Sequence, residues 1–317
     1  MAAEATIFDV KAEAFDADSV VQCMVERGFC ILRNLFELPD LDEVEKRTRA
    51  LMQRPAVAGT LGYSKVDFPK KLINPFQVGG PIVPMMLNEI AIGIMERYMD
   101  SKCILAETSI KLDTGVNYEY FPIHSDFAVG WKKRKDQDFN LSEEGMKDPV
   151  GVGIAIYLHD TREGAFTFCE GTHKLLSPHG QKLANYPSEM QESILSKRVR
   201  CDGLRGDLVM FDDRGFHGPD HPSKSDRLTI LLDYFRVRTF GHMQVTPQAV
   251  WTSDLGGLSK TQLRVLGVGA EYMVSPIDYT RTRYKYSRMY GLVCALIDKT
   301  YLLTHIKQKL KRSLGRV

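Results

Sequence analysis

The chain is poor in the features that mark several protein classes. Its six cysteines, Cys23, Cys30, Cys103, Cys169, Cys201 and Cys294, are scattered, without the close pairs of a zinc site or the density of a disulfide scaffold. That spacing fits a reducing cytoplasm. No apolar run approaches the length of a membrane span. The start, Met1-Ala2-Ala3-Glu4-Ala5-Thr6-Ile7-Phe8-Asp9, lacks a basic segment followed by an apolar one, so no secretory signal is expected. Repeats and low-complexity tracts are absent. What remains is 317 residues, 44% hydrophobic, enough to bury one large core in a single domain.

Chemistry is concentrated in two stretches. The first is His124-Ser125-Asp126, after the aromatic-rich run Tyr118-Glu119-Tyr120-Phe121. Residues two apart on a strand share a face, so His124 and Asp126 can reach one metal ion while Ser125 points away. The second is Gly215-Phe216-His217-Gly218, in the turn beyond a buried strand at Gly206–Asp212. Breakers through Ser223 then reverse the chain into the strand Arg227–Val237. A hairpin of this kind returns Arg227 toward His217.

Two imidazoles and one carboxylate on one face of Fe(II) leave the other face open for a keto acid and dioxygen. The distal carboxylate of such an acid suits a planar guanidinium, here Arg227. Thr229, on the same strand face, adds a hydroxyl. The expected cosubstrate is 2-oxoglutarate. Each residue also has a plainer reading. His173, His179 and His221 compete with His217 as third ligand, although His173 suits bracing its turn and His221 an exposed loop. Arg227 can instead be a surface residue paired with Asp226 or Asp233, and Thr229 a strand filler.

These stretches occur in an order that resembles the phytanoyl-CoA dioxygenase-like family of Fe(II)/2-oxoglutarate oxygenases, which includes the ectoine hydroxylases. The resemblance runs from about Phe15 to Val237. It includes Glu26-Arg27-Gly28-Phe29-Cys30-Ile31-Leu32-Arg33-Asn34-Leu35-Phe36, which is similar to the family's first strand with a helix on either side. It also includes Gly164–Lys174, similar to its glycine, hydroxyl, histidine and lysine turn. The resemblance implies that His124, Asp126 and His217 bind iron, that Arg227 holds 2-oxoglutarate and that Lys111 faces the cosubstrate. Glu170 departs from the family pattern, standing where a proline is usual, and puts the shape of that turn in question. With Asp126 present, the carboxylate position that halide-transferring relatives vacate is filled, which points to hydroxylation rather than halogenation. Desaturation or ring closure follows if the substrate radical is held away from the metal.

The expected fold is mainly β with N-terminal helices: a double-stranded β-helix (jelly-roll, cupin-like) core buttressed by helices. Helices are expected at Ala17–Arg27 and Leu41–Met52, the second starting from Pro39-Asp40. Another spans Pro84–Met99, with Met86, Ile90, Ile94 and Met95 facing the core as packing rather than as ligands. Strands are expected at Cys103–Leu112, Tyr118–His124, Gly151–His159, Ala165–Cys169, Gly206–Asp212 and Arg227–Val237.

Between the metal motif and the next strand, Phe127–Val150 is long enough for a lid, and its run Trp131-Lys132-Lys133-Arg134-Lys135 offers a dock for an anionic group or simply a solvated loop. Residues 1–280 form the expected oxygenase domain. Residues 281–317 form a basic amphipathic helical tail of net +9, against −7 for the remainder. The tail packs its apolar stripe on the acidic body, binds an acidic partner or rests on an anionic membrane surface. No transmembrane segment and no nucleic-acid partner are expected; the partners are dioxygen and a small-molecule substrate. The rival classes are a metal-free binding module and a membrane-tethered scaffold.

Overall fold

A computed structural model describes residues 4–53, 70–72, 74–113, 122–132, 141–161, 165–220, 226–241 and 250–268. Tyr118, Tyr120, His221, residues 133–140 and the basic tail lie outside the described residues.

The chain enters through a short strand β1 (Ile7–Asp9) and helix α1 (Ala17–Arg27). Asp16 caps α1 by accepting from the backbone N–H groups of Asp18 and Ser19, and Gly28 ends it in the left-handed conformation at φ 87°. Strand β2 (Phe29–Arg33) follows, then α2 (Leu38–Met52), with Pro39 in its first turn. After β3 (Lys70–Leu72) come α3 (Ile82–Met86) and α4 (Glu89–Tyr98). The single helix expected over Pro84–Met99 is therefore two. Asn88 takes an extended backbone and accepts from Ala91 N–H, starting a new helix there. The restart changes the phase: Met86, Ile94 and Met95 are buried as expected, but Ile90 is 42% exposed and Ala91 and Ile92 face the core in its place.

The remaining strands are β4 (Cys103–Asp113), β5 (Gly151–Tyr157), β6 (Phe166–Cys169), β7 (Arg198–Arg200), β8 (Leu208–Asp212), β9 (His217–Pro219) and β10 (Arg227–Arg236). Seven form one sheet in the order β1-β2-β8-β5-β10-β4-β3, and three form a second, β7-β6-β9. All neighbours are antiparallel except the parallel pair β1 and β2. The two faces of the large sheet follow from alternation along its strands. Cys30, Leu32, Ile154, Ile156, Leu208, Met210, Leu228 and Ile230 join the residues of α1 to α4 in the main core. Phe29, Ile31, Ala155, Tyr157, Val209 and Phe211 point the other way, against Phe168 and Val199 of the small sheet. The small sheet thus covers the opposite face, and a cavity lies there.

The expected hairpin is not formed. Strands β8 and β10 do not pair; they flank β5 on its two sides. His217 is not in a turn but on β9, paired through β6 with the small sheet. Arg227 and His217 reach the same cavity from different sheets. His124 lies in no strand of its own and forms isolated bridges to Lys182 and His217.

The described parts of Phe127–Val150 are packed, not loose. Gly130 N–H donates to Leu141 O and Leu141 N–H to Trp131 O. Trp131 packs edge-on to Phe127 with ring centroids 4.9 Å apart, alongside Phe235 and Phe240. Of the basic run, Trp131 is thus part of an aromatic cluster, and Lys132 is exposed. The five described cysteines are buried and unbridged. No helix among the described residues is long and apolar enough to cross a membrane.

Candidate metal centre

His124, Asp126 and His217 converge. One ligand atom from each lies within 4.8 Å of the other two. Asp126 is between the imidazoles, with Oδ1 3.4 Å from His124 Nε2 and Oδ2 3.2 Å from His217 Nε2. Backbone pairing holds the histidines together: His124 N–H donates to His217 O at 3.0 Å and His217 N–H to His124 O at 2.7 Å. Their ring centroids are 4.7 Å apart.

Each ring is also oriented from behind. His217 Nδ1 lies 2.9 Å from Gly215 O and His124 Nδ1 lies 3.1 Å from Pro122 O. A carbonyl only accepts, so each Nδ1 carries a proton and each Nε2 is turned toward Asp126, where it would give its lone pair to a bound metal. Ser125 points away, as expected, into a buried hydrogen bond with Phe127 O. Asp126 is anchored through its own N–H to Asp213 O at 2.8 Å and through its carbonyl, which accepts from Gln181. Burial alone would raise the carboxyl of Asp126, but the imidazoles of His217 and His124 hold it well below the usual carboxylate range. For His124, burial is the largest influence and favours the neutral ring, yet the hydrogen bond and charge of Asp126 and the Pro122 carbonyl together outweigh it, and the imidazole titrates above its ordinary value.

The other described histidines do not join the three donors. His173 is buried with Nε2 3.2 Å from Val25 O, bracing its turn as expected. His179 meets Tyr186 edge-on at 5.0 Å.

A cavity of about 420 Å³ opens onto the three donors and is also lined by Lys111, Arg227 and Thr229. All six residues singled out in the sequence meet there. Arg227 is not a surface residue and does not pair with Asp226 or Asp233. Its side chain is 5% exposed, and Nη2 donates to Asp113 Oδ2 at 3.0 Å. Its Nε is buried with no hydrogen-bond partner among the described residues. Lys111 Nζ lies 3.5 Å from Asp113 Oδ1; burial lowers the lysine's pKa, and Asp113 works against that shift. Two basic side chains meet one carboxylate at this end of the cavity, and the guanidinium keeps a donor unused among the described residues. A dicarboxylic keto acid fits both features: one carboxylate for Arg227, and the keto acid end for a metal on the two imidazoles and Asp126.

Sequence reasoning missed Asp113, the buried partner of Arg227, and an acidic group formed by Glu107, Asp213 and Asp233. Burial raises all three, and their mutual repulsion and that of Asp126 adds to it. Alternation along β10 exposes Arg227, Thr229, Leu231 and Asp233 to the cavity, so that period of two was the available signal for Asp233.

Glu170, the departure from the family pattern, has a local reason. Its N–H donates to Lys197 O at 2.9 Å, which a proline could not do, and its carboxylate receives Arg27 through Nε at 2.8 Å and Nη2 at 3.2 Å.

No protein-family model and no curated protein matches the chain. Solved structures do match its fold, among them ones that hold iron and 2-oxoglutarate. EctD from S. alaskensis with 2-oxoglutarate and 5-hydroxyectoine aligns at 14% identity with a TM-score of 0.53, covering 70% of this chain and 76% of EctD; the same enzyme is also known with bound Fe. AviO1 from Streptomyces viridochromogenes Tue57 aligns at 16% identity and 0.51, covering 71% of this chain and 96% of AviO1. SnoN, a non-heme alpha-ketoglutarate-dependent epimerase from nogalamycin biosynthesis, aligns at 14% and 0.51, covering 70% and 83%. The likeness is one of fold, and it agrees with the resemblance to the phytanoyl-CoA dioxygenase-like enzymes.

Proposed function

We propose that the chain is an Fe(II)- and 2-oxoglutarate-dependent dioxygenase that oxidises an unactivated C–H bond of a small molecule, with hydroxylation as the default outcome. One observation carries this reading: two imidazoles and a carboxylate converge in the cavity that also holds a buried guanidinium with an unused donor. The two sheets are read as the faces of a double-stranded β-helix, within an oxygenase domain over residues 1–280 followed by the basic tail 281–317.

His124, Asp126 and His217 would hold the iron through Nε2, a carboxylate oxygen and Nε2. Arg227 would hold the distal carboxylate of 2-oxoglutarate, with Thr229 and Lys111 beside it on the same face. The loaded metal would supply oxidative decarboxylation of 2-oxoglutarate to succinate coupled to hydrogen abstraction. The protein's own task is geometric: Gly215 O and Pro122 O keep the imidazole lone pairs aimed, and Asp113 fixes the guanidinium plane. Because SnoN is described as an epimerase, a product with no added oxygen is the second reading, separable by product mass.

The test is dioxygen uptake and succinate release by the purified chain with iron and 2-oxoglutarate, alone and across a broad substrate panel. Turnover that needs both additions supports the proposal. No uptake of iron, or no succinate under any condition, would refute it.

A further inference from the structure

The cavity is polarised along β4 and β10. Arg227, Lys111 and Asp113 stand at one end. Six residues further along β10, Asp233 lies opposite Glu107 in the strand register, and both line the cavity wall. A β-bulge between Asp233 and Tyr234 falls at this point, a device that re-aims side chains beside active sites.

Asp213 stands behind them. Carboxylate oxygens of Asp126, Asp213 and Asp233 lie within 4.8 Å of one another. Asp213 is fully buried, and neither of its oxygens has a hydrogen-bond partner among the described residues. The neighbouring strand makes room for it: a Cβ on Gly151 would come 2.5 Å from Asp213 Oδ2, and one on Gly153 would come 2.6 Å from Oδ1. No described residue donates a hydrogen bond to Glu107 or Asp233. Lys71, on β3, is the described cation whose charge reaches both.

Asp213, withdrawn from water with no donor among the described residues, is strongly disfavoured as an anion unless a proton or a cation neutralises it, and Glu107 and Asp233 stand half-buried beside it. A metal on the two imidazoles and Asp126 compensates Asp126 alone, and 2-oxoglutarate is accounted for at the Arg227 end. The acids are therefore matched to what enters between.

We infer that the substrate carries a cationic nitrogen, an amine or a guanidine, which docks between Glu107 and Asp233 with Asp213 behind them. This rests on the dioxygenase reading of the same cavity. An ammonium has donors and no acceptor, and a guanidinium likewise, and Glu107 and Asp233 offer it acceptors on a wall they share with the cation Lys71. A second divalent ion on Asp126, Asp213 and Asp233 fits less well, since it would face the first across the shared Asp126.

The test uses the full chain loaded with Mn(II) and saturating 2-oxoglutarate, titrated calorimetrically at low ionic strength with butylamine, butylguanidine, 1-butanol and butyrate. The two cations are expected to bind about tenfold more tightly than butanol, the change that one charge-assisted hydrogen bond carries. Glu107→Gln and Asp233→Asn should each remove that preference, and Glu107→Gln should leave 2-oxoglutarate affinity unchanged. Equal affinity for cation and alcohol, in protein that binds Mn(II) and 2-oxoglutarate, overturns the inference and spares the dioxygenase reading. Binding of neither Mn(II) nor 2-oxoglutarate removes that reading, and the inference with it. Two Mn(II) per chain, falling to one in Asp213→Asn, would make the acids a metal site and also overturn it. The probe comparison on the unmodified chain depends on no variant folding.

Discussion

Replacing Arg227 by Met separates its structural and binding roles. The pair with Asp113 is buried on both sides, with side chains 5% and 7% exposed. Removing one partner of such a pair costs about 3–5 kcal/mol, because the other charge is left behind. Lys111, 3.5 Å from Asp113, retains part of the compensation, so the lower end, about 3 kcal/mol, applies. For a chain of 317 residues that is a fall in Tm of roughly 4–5 °C. The same substitution removes the charge-assisted contact to the distal carboxylate of 2-oxoglutarate. At about 1.5–3 kcal/mol per bond, the Kd should rise on the order of 10- to 100-fold. Thermal melting and calorimetric titration of 2-oxoglutarate into the Mn(II)-loaded protein read the two effects. Adding Asp113→Asn removes the stranded charge, so the double variant should recover most of the Tm and none of the affinity. A 2-oxoglutarate Kd unchanged in Arg227→Met, or regained in the double variant, would refute Arg227 as the anchor.

Asp126→Ala should abolish stoichiometric iron uptake in metal analysis; a full equivalent of iron retained would remove Asp126 from the ligand set. The raised pKa of His124 gives two opposite pH effects. Protons compete with metal for Nε2, so Mn(II) affinity should fall as pH drops from 8 to 6, and a flat profile would contradict the assignment. Without metal, the His124 contact with Asp126 contributes stability that is fully present below the ordinary value of 6.5 and lost as pH rises through the raised one; melting of metal-free protein against His124→Ala across that range measures it. Glu170→Pro should lower stability by about 1–3 kcal/mol through loss of the Lys197 hydrogen bond and disturbance of the Arg27 pair; an unaltered urea midpoint would show that the turn tolerates the family's residue. Gly215→Ala places a Cβ 2.1 Å from Phe168 Cζ. Overpacking of this kind costs about 1–3 kcal/mol. Because Gly215 O orients His217, metal affinity should weaken along with Tm, and a loss of Tm alone would exclude that coupling.

What could be read from the sequence was whatever local chemistry decides. Asp16 and Gly28 mark the ends of α1 as cap residues do, and the apolar runs at 103–112, 151–159 and 227–237 became three adjacent strands of the large sheet, β4, β5 and β10, within two residues of the expected bounds. The three converging donors were legible because His124 and Asp126 are close in sequence and His217 has a glycine on its far side. Pairing was not legible. Which strand lies beside β10 depends on the whole sheet, so β8 was wrongly matched to it when β5 intervenes. Asp113 is 114 residues from Arg227, and no local signal links them. Glu107 was hidden by the bulge: Leu105 packs on the helical side, yet Glu107, in the same alternation, faces the cavity. A strict period of two cannot predict both.

The reciprocal backbone pairing of His124 and His217 bears on how the protein survives losing its metal. Both imidazoles hang from a short ladder whose hydrogen bonds are already made, and their rings are already aimed by carbonyls. These contacts belong to the polypeptide alone and do not depend on an ion. If the proposed iron were stripped by a chelator, they would remain, and reloading is expected to need no refolding step.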